Sequence, residues 1–269
     1  MKISYLGPEG TYCYGACNLY TQGKDYTKIK AKTITSAVQM LVDNEVDECI
    51  VPIENSIRGT VLETVDALIE NENLSVTKEI ILNIEHCLLS NHKCKKQDIQ
   101  EIFSHPQALG QCKGYIKNNL TGCKLNEVAS TAKGAEIIKE KSNCACIANR
   151  ICAEYYDLKI IDENIQDKKN NQTRFFVLSK KMYNKKENKK ISLMFSTANN
   201  PGALYKILGL FNIFDVNLSK IESRPAQTGL GDYWFWVDLE GNIEDEKVKT
   251  LLDITEKRCS FFRILGTYY

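Results

Sequence analysis

Polar residues gather in this chain where apolar runs begin or end. The stretch NQTRFFVLS, residues 171–179, sets Asn171, Gln172, Thr173 and Arg174 directly in front of a run that reads as a buried strand. ECIVPIENSIRGTV brings Glu54, Asn55 and Ser56 to the end of another apolar run and ahead of Gly59. IFSHPQALGQC adds Ser104, His105 and Gln107, with Gln111 one helical turn further on, and VASTAKGAE adds Ser130 and Thr131. Hydroxyls, amides and a guanidinium of this kind can hold an anion and give a hydrogen bond to an oxygen. A planar guanidinium meets a carboxylate in two parallel hydrogen bonds. The carboxyl ends of parallel strands are where open α/β sheets hold ligands, because side chains and helix N-termini converge there. Taken singly, each cluster also has a plainer reading: Ser and Thr before a helix are N-caps, and Arg174 is a surface arginine closing a polar turn.

The chain of 269 residues is 43% hydrophobic and 26% charged, long enough for two or three domains each with its own core. Its 35 basic and 34 acidic residues leave a net charge of +1, so no global field draws in nucleic acid or an anionic membrane, and an anion has to be caught locally. The N-terminal MKISYLGPEG has only a short apolar stretch before Gly7 and Pro8, and no apolar run reaches membrane-spanning length, which predicts a soluble, cytoplasmic protein. Eleven cysteines, an odd number without a Cys-x-x-Cys pair, argue against a disulfide framework and read as small buried apolar residues. Cys144 and Cys146 share one face of a short strand, the one place where a zinc or redox role is open.

Strand-like and helix-like segments alternate up to about residue 180. KISYL, helices near 11–20 and 36–42, ECIVPI and a helix near 60–69 form one set. After EIILNIEHCLL comes a second: IQEIFS, a helix near 107–117, NEVAS, a helix near 131–141, CACIAN and a helix over 150–156. That rhythm predicts two α/β lobes with parallel sheets and crossover helices, about 1–75 with 165–180 and about 76–164, and a ligand cleft between them. The lysine-rich 181–190 reads as a linker, and 191–269 repeats β-α-β-β-α-β, a ferredoxin-like pattern with a helix near 202–214. Its strand YWFWVDLEG is apolar on both faces at its start, so a partner subunit covers the second face or a tryptophan pair stays partly exposed.

GPEGTY, PIENSIRGTV, FSHPQALGQC, STAKGAE and the Asn-x-Thr-Arg-Phe run, in that order, resemble the prephenate dehydratase family, and NNPGALYKIL with KIESRP resemble its regulatory ACT domain. The resemblance covers nearly the whole chain. It implies a bilobal, periplasmic-binding-protein-like catalytic domain over 1–180 and a cofactor-free, metal-free conversion of prephenate to phenylpyruvate, water and carbon dioxide. Feedback by L-phenylalanine and a homodimer or homotetramer are implied with it. Carried over residue by residue, it makes Thr173 the central catalytic hydroxyl and ties Glu54, Asn55, Ser104 and Gln111 to substrate handling. Arg174 becomes the carboxylate-holding cation, with Thr11, Ser56, Ser130 and Thr131 as further contacts. An effector pocket is implied at Asn200, Gly202, Ala203 and Leu204, where Asn200 and Pro201 look like an N-cap and first-turn proline, and at Glu222, Ser223 and Arg224 following the second strand. Cys13 departs from the family, which usually has Ser there, and so puts that ligand contact in doubt or leaves a thiol in the cleft. Glu54 sits awkwardly beside a dianionic ligand unless paired or protonated. His105, next to Pro106, reads as structural rather than as an acid catalyst, and a preference for arogenate or an amino-acid sensor without turnover stays open.

Overall fold

A computed structural model describes residues 1–182, 187–226 and 233–269, which form two compact units, Met1–Ala67 with Ile80–Phe175 and Leu68–Glu79 with Phe176–Tyr269. In chain order the elements up to the second lobe are β1 Lys2–Leu6, α1 Tyr12–Thr21, β2 Thr27–Ala31, α2 Ile34–Val42, β3 Glu48–Asn55, β4 Gly59–Thr60, α3 Leu62–Glu70 and β5 Ser75–Asn83. There follow β6 Cys87–Ser90, β7 Glu101–Ser104, α4 Pro106–Gln111, α5 Lys113–Asn119, β8 Lys124–Glu127, α6 Thr131–Ile138, β9 Cys144–Ala148, α7 Arg150–Tyr156, β10 Lys159–Asp162 and β11 Gln172–Ser179. The tail holds β12 Lys190–Ser196, α8 Ala203–Ile213, β13 Leu218–Pro225, β14 Tyr233–Glu240, α9 Glu246–Glu256 and β15 Phe261–Tyr268.

In the first lobe β1 lies between β2 and β3, all parallel, with Ser4 opposite both Ile29 and Cys49. Thr33 and Ser36 close a capping box at the start of α2, whose Ile34, Ala37, Val38 and Leu41 recur at helical spacing and are buried. The second lobe orders its strands β10-β6-β9-β7-β8, with β7 parallel to β8 and β9. The expected all-parallel sheet fails at β6, which runs antiparallel to β9 and β10, because the chain enters the lobe on that strand without a crossover helix. The single helix expected near 107–117 is broken at Cys112, since the amide of Gly114 turns away to the Asp167 carboxylate at 3.1 and 3.2 Å. Cys144 and Cys146 are both buried in the apolar core of this lobe, and among the described residues no cluster of three or more His, Cys, Asp or Glu is placed to hold a metal.

The tail adopts the ferredoxin-like β-α-β-β-α-β order, its four strands arranged antiparallel as β13-β14-β12-β15. Ile207, Leu210 and Phe211 of α8 and Val248, Leu251 and Leu252 of α9 bury against Leu193, Phe195, Val237 and Leu239. The unit extends beyond the tail. Arg263 donates to the carbonyls of Leu68, Asn71 and Leu74 at 2.6, 3.1 and 2.7 Å, and Gly266 pairs with Val76. Segment 68–79 therefore packs with the tail, whereas the expected boundaries place it in the catalytic domain over 1–180. The linker is also shorter than its composition suggests: Asn188 is buried and donates to Thr267 at 2.8 and 3.0 Å, while residues 183–186 lie outside the described ones. The second face of β14 is covered by this chain itself at Trp236, which is buried against Phe176 and Tyr268.

Among the described residues no helix is long and apolar enough to cross a membrane. A methyl group on Gly266 would stand 2.0 Å from the Val76 carbonyl oxygen, and backbone cannot step aside as a side-chain tip can. Gly266→Ala is expected to destabilise the fold by about 1–3 kcal/mol, the usual cost of overpacking, read as a lowered Tm; an unchanged melting curve would contradict the register of β5 on β15.

Candidate active site

The first unit carries a cleft of about 250 Å³ lined by Tyr12, Asn55, Ile84 and Thr173 from one lobe and by His86, His105, Gln107, Gln111, Ser130 and Thr131 from the other. Its organising residue is Asn55, the last of β3. The Asn55 side-chain oxygen accepts from the amides of Ile57 and Arg58, both at 3.1 Å, which folds the following turn back on itself. Its amide nitrogen donates across to β11, to Asn171 Oδ1 at 2.8 Å, the Gln172 carbonyl at 3.1 Å and Thr173 Oγ1 at 2.9 Å. Because Thr173 Oγ1 accepts there, its own proton remains available to an acceptor in the cleft.

Glu54 and Arg174 are one residue away on the same two strands. Successive side chains of a strand leave on opposite faces. Thr173 faces the cleft with Asn55, and neither Glu54 nor Arg174 is among the residues lining it. Instead Arg174 Nη1 lies 3.7 Å from Glu54 Oε2, its side chain largely buried. The expectation that hydroxyl and guanidinium face one groove side by side is corrected by strand alternation, and the pairing supplies Glu54 with the cation that its charge calls for.

In the other wall, His105 caps α4 by accepting from the Gln107 amide at 3.2 Å through Nδ1, which supports its structural reading. Gln111 ends the same helix, its Oε1 2.7 Å from His86 Nε2. Ser130 caps α6 by accepting from the Lys133 amide at 3.0 Å, and the first amides of that helix, beside Ser130 and Thr131, have no carbonyl one turn earlier to bond.

Other expected site residues are engaged elsewhere. Ser104 is fully buried and donates to the Ile147 carbonyl at 2.6 Å, binding β7 to β9 instead of lining the cleft. Thr11 caps α1, accepting from Tyr14 and donating to the Pro8 carbonyl at 2.8 Å. Ser56 accepts from the Gln172 amide at 2.9 Å and donates to the Asn170 carbonyl at 3.2 Å, so it fastens the β3 turn to β11. Ile84 and His86 line the cleft although no sequence motif points to them, and Tyr12 of GPEGTY and Gln107 of the FSHPQALGQC cluster line it as well. Cys13 is buried in the helix core, not in the cleft, and burial pushes its thiol up to about 12.

The expected effector residues lie in the second unit. Gly202 adopts a left-handed φ of 77° and is itself the N-cap of α8, so the helix starts at Ala203 and Asn200 stands a turn earlier, its carbonyl accepting from the Ala203 amide at 3.1 Å. Glu222, Ser223 and Arg224 are within β13, not after it, and alternate, with Ser223 on the face opposite Glu222 and Arg224.

The family model described as prephenate dehydratase matches residues 3–183. A prephenate dehydratase of Methanocaldococcus jannaschii is 39% identical over 99% of this chain and 97% of its own length. The prephenate dehydratase of Arthrobacter aurescens, solved in complex with L-Phe, superposes with a TM-score of 0.88 at 30% identity, covering 100% of this chain and 90% of that one. A quorum-quenching acylase superposes equally well, with a TM-score of 0.88, 28% identity and coverage of 100% and 97%.

The buried thiol of Cys13 is expected to stay unmodified by iodoacetamide at pH 8 in the folded protein and to react once the protein is unfolded, as read by peptide mass spectrometry; native-state labelling would place it in the cleft after all.

Proposed function

The chain belongs to the prephenate dehydratase family, and we propose that the cleft between the lobes of its first unit converts prephenate to phenylpyruvate in phenylalanine biosynthesis, in the cytoplasm. A fold shared with an acylase does not assign an activity, so the reading rests on the site. The observation that carries it is the Asn55 to Thr173 hydrogen bond of 2.9 Å, which occupies the Thr173 oxygen as an acceptor and leaves its hydroxyl proton for an acceptor in the cleft that Thr173 lines.

The reaction breaks two bonds of the substrate ring. The bond to the ring carboxylate releases carbon dioxide and its electron pair enters the ring, while the carbon–oxygen bond on the far side of the ring breaks and the hydroxyl leaves, taking one proton to become water. Aromatisation drives both. The enzyme has to hold the substrate so that the two bonds are aligned, and to stabilise charge growing on the departing oxygen. Thr173 does the second by a hydrogen bond that strengthens as charge develops, since a hydroxyl is too weak an acid for early proton transfer. Asn55 fixes the rotamer of Thr173 through its amide. Gln111, Ser130, Thr131 and the first amides of α6 are on the facing wall, suited to a substrate carboxylate. Arg174 holds Glu54 and with it the alignment of β3 on β11, and Ser104, Ser56 and Thr11 support the walls without touching ligand.

The second unit is the regulatory ACT domain in this reading, and L-phenylalanine is its effector. The amides opening α8 carry no side-chain cap and can receive the carboxylate of an amino acid; Glu222 and Arg224 share one face of β13 near the end of that unit's sheet. Ile221 is exposed on β13, the outermost strand of the sheet, and Tyr233 is exposed opposite Pro225 at the start of β14, apolar surface suited to a homo-oligomer contact.

Phenylpyruvate formation from prephenate, followed spectrophotometrically with and without L-phenylalanine, tests the activity and its control together. Thr173→Ala is expected to lower kcat by about 10²–10⁴-fold with an unchanged Tm, the range for a lost proton-donating group; near-normal turnover would refute its role. Arg224→Ala is expected to leave turnover intact and weaken L-phenylalanine inhibition by about tenfold or more, the scale of one charge-assisted hydrogen bond; unaltered inhibition would put the effector elsewhere.

A further inference from the structure

His86 precedes β6 and is buried, yet its Nδ1 is the one buried side-chain nitrogen or oxygen without a hydrogen-bond partner among the described residues. Its other ring nitrogen, Nε2, lies 2.7 Å from Gln111 Oε1. The two residues are held by one short segment. The Ile165 amide donates to the His86 carbonyl at 3.0 Å, the His86 amide to Gln166 Oε1 at 2.9 Å, and the Asp167 amide to the Gln111 carbonyl at 2.7 Å. Both backbones are thereby fixed, so what remains free to vary is the direction in which the Gln111 amide points.

The bare Nδ1 decides that direction. A buried N–H without an acceptor is costlier and rarer than a buried lone pair without a donor, so the ring proton belongs on Nε2 and the lone pair on Nδ1. Burial also keeps the ring neutral by lowering its pKa. With the proton on Nε2, His86 can only donate to Gln111, and Gln111 must turn its oxygen toward it. The reversed amide would need the proton on Nδ1, where nothing receives it. Gln111 therefore presents its NH2 to the cleft, as a donor of two hydrogens for a carboxylate or keto oxygen, and not as an acceptor that would repel one.

We propose that His86 is a positioning residue for the dehydration: through Nε2–H it locks the Gln111 amide in the orientation that donates to the substrate. This rests on the reading of the cleft as the site of prephenate turnover. His86 touches no reacting atom in this arrangement, and its effect passes wholly through Gln111.

The test is steady-state kinetics on prephenate for the full chain, with His86→Ala, His86→Gln, Gln111→Ala and the double variant His86→Ala/Gln111→Ala. His86→Ala is expected to lower kcat/KM about tenfold, the scale of one misdirected hydrogen bond. His86→Gln, whose amide nitrogen can take the place of Nε2, is expected to restore kcat/KM to within about threefold of the parent protein, a milder loss than that of a whole hydrogen bond. In the Gln111→Ala background, His86→Ala is expected to cost less than about twofold more, because residues acting in series are not additive. The same fold-loss in both backgrounds, or a folded His86→Gln no better than His86→Ala, overturns the proposal. Should His86→Ala fail to fold by circular dichroism, His86→Gln is compared with His86→Asn, whose amide stands at the Nδ1 position: activity kept by the first and lost by the second supports the proposal, and equal activity overturns it. A parent protein that does not consume prephenate refutes the functional reading itself, whereas an active parent with an additive cycle refutes only the role of His86.

Discussion

The side chain of Asn55 is the constraint on which the site depends. One carboxamide accepts from two amides of the turn that follows its own strand and donates across to β11, so the turn after β3 and the entry to β11 cannot move independently. Ser56 adds a second fastening, accepting from the Gln172 amide and donating to the Asn170 carbonyl. The consequence is chemical as well as mechanical. Thr173 has its side-chain oxygen engaged as an acceptor, which leaves the hydroxyl proton as what its side chain has to offer. In the proposed reaction, a weakly acidic hydroxyl pre-oriented in this way needs no reorganisation as charge builds on the leaving oxygen.

Strand alternation sorts the neighbouring residues into two functions. Asn55 and Thr173 face the cleft, while Glu54 and Arg174, one position over, pair with each other. A charge pair placed away from the cleft steadies the two strands without setting a carboxylate against an anionic ligand. The facing wall uses helix ends in place of formal charge: His105 and Ser130 cap α4 and α6, and Gln111 reaches in from the end of α4. Neutral groups of this kind can hold an anion locally where the chain as a whole carries a net charge of only +1. Segment 165–167 ties this wall together by holding the backbones of His86 and Gln111.

The second unit recruits structure from outside its own β-α-β-β-α-β repeat. Arg263 turns its guanidinium to three carbonyls at the end of α3 and beyond, and Gly266 lets β15 approach Val76 closely because it lacks a side chain. Segment 68–79 is consequently part of the unit's packing, and a cut in the chain near residue 180 would leave these carbonyls without their donor.

Composition, the alternation of apolar runs and the order of five polar motifs were enough to read two α/β lobes, a ferredoxin-like tail and the family from the sequence, since period and motif order are properties of the chain itself. Asn55, Gln111, Ser130, Thr131 and Thr173 were legible for the same reason, as polar residues where apolar runs begin or end. The direction of a side chain was not. Thr173 and Arg174 are neighbours in sequence and separated by the sheet in space, and Ser104 looks like a ligand contact until β9 takes its hydroxyl. His86 carries no motif, and only the folded wall brings it to Gln111. Local sequence sets which groups are at hand; tertiary contacts between segments far apart in the chain, such as Asn55 with Thr173, set which atom of each faces the ligand, because hydrogen-bond partners are chosen by position and not by adjacency.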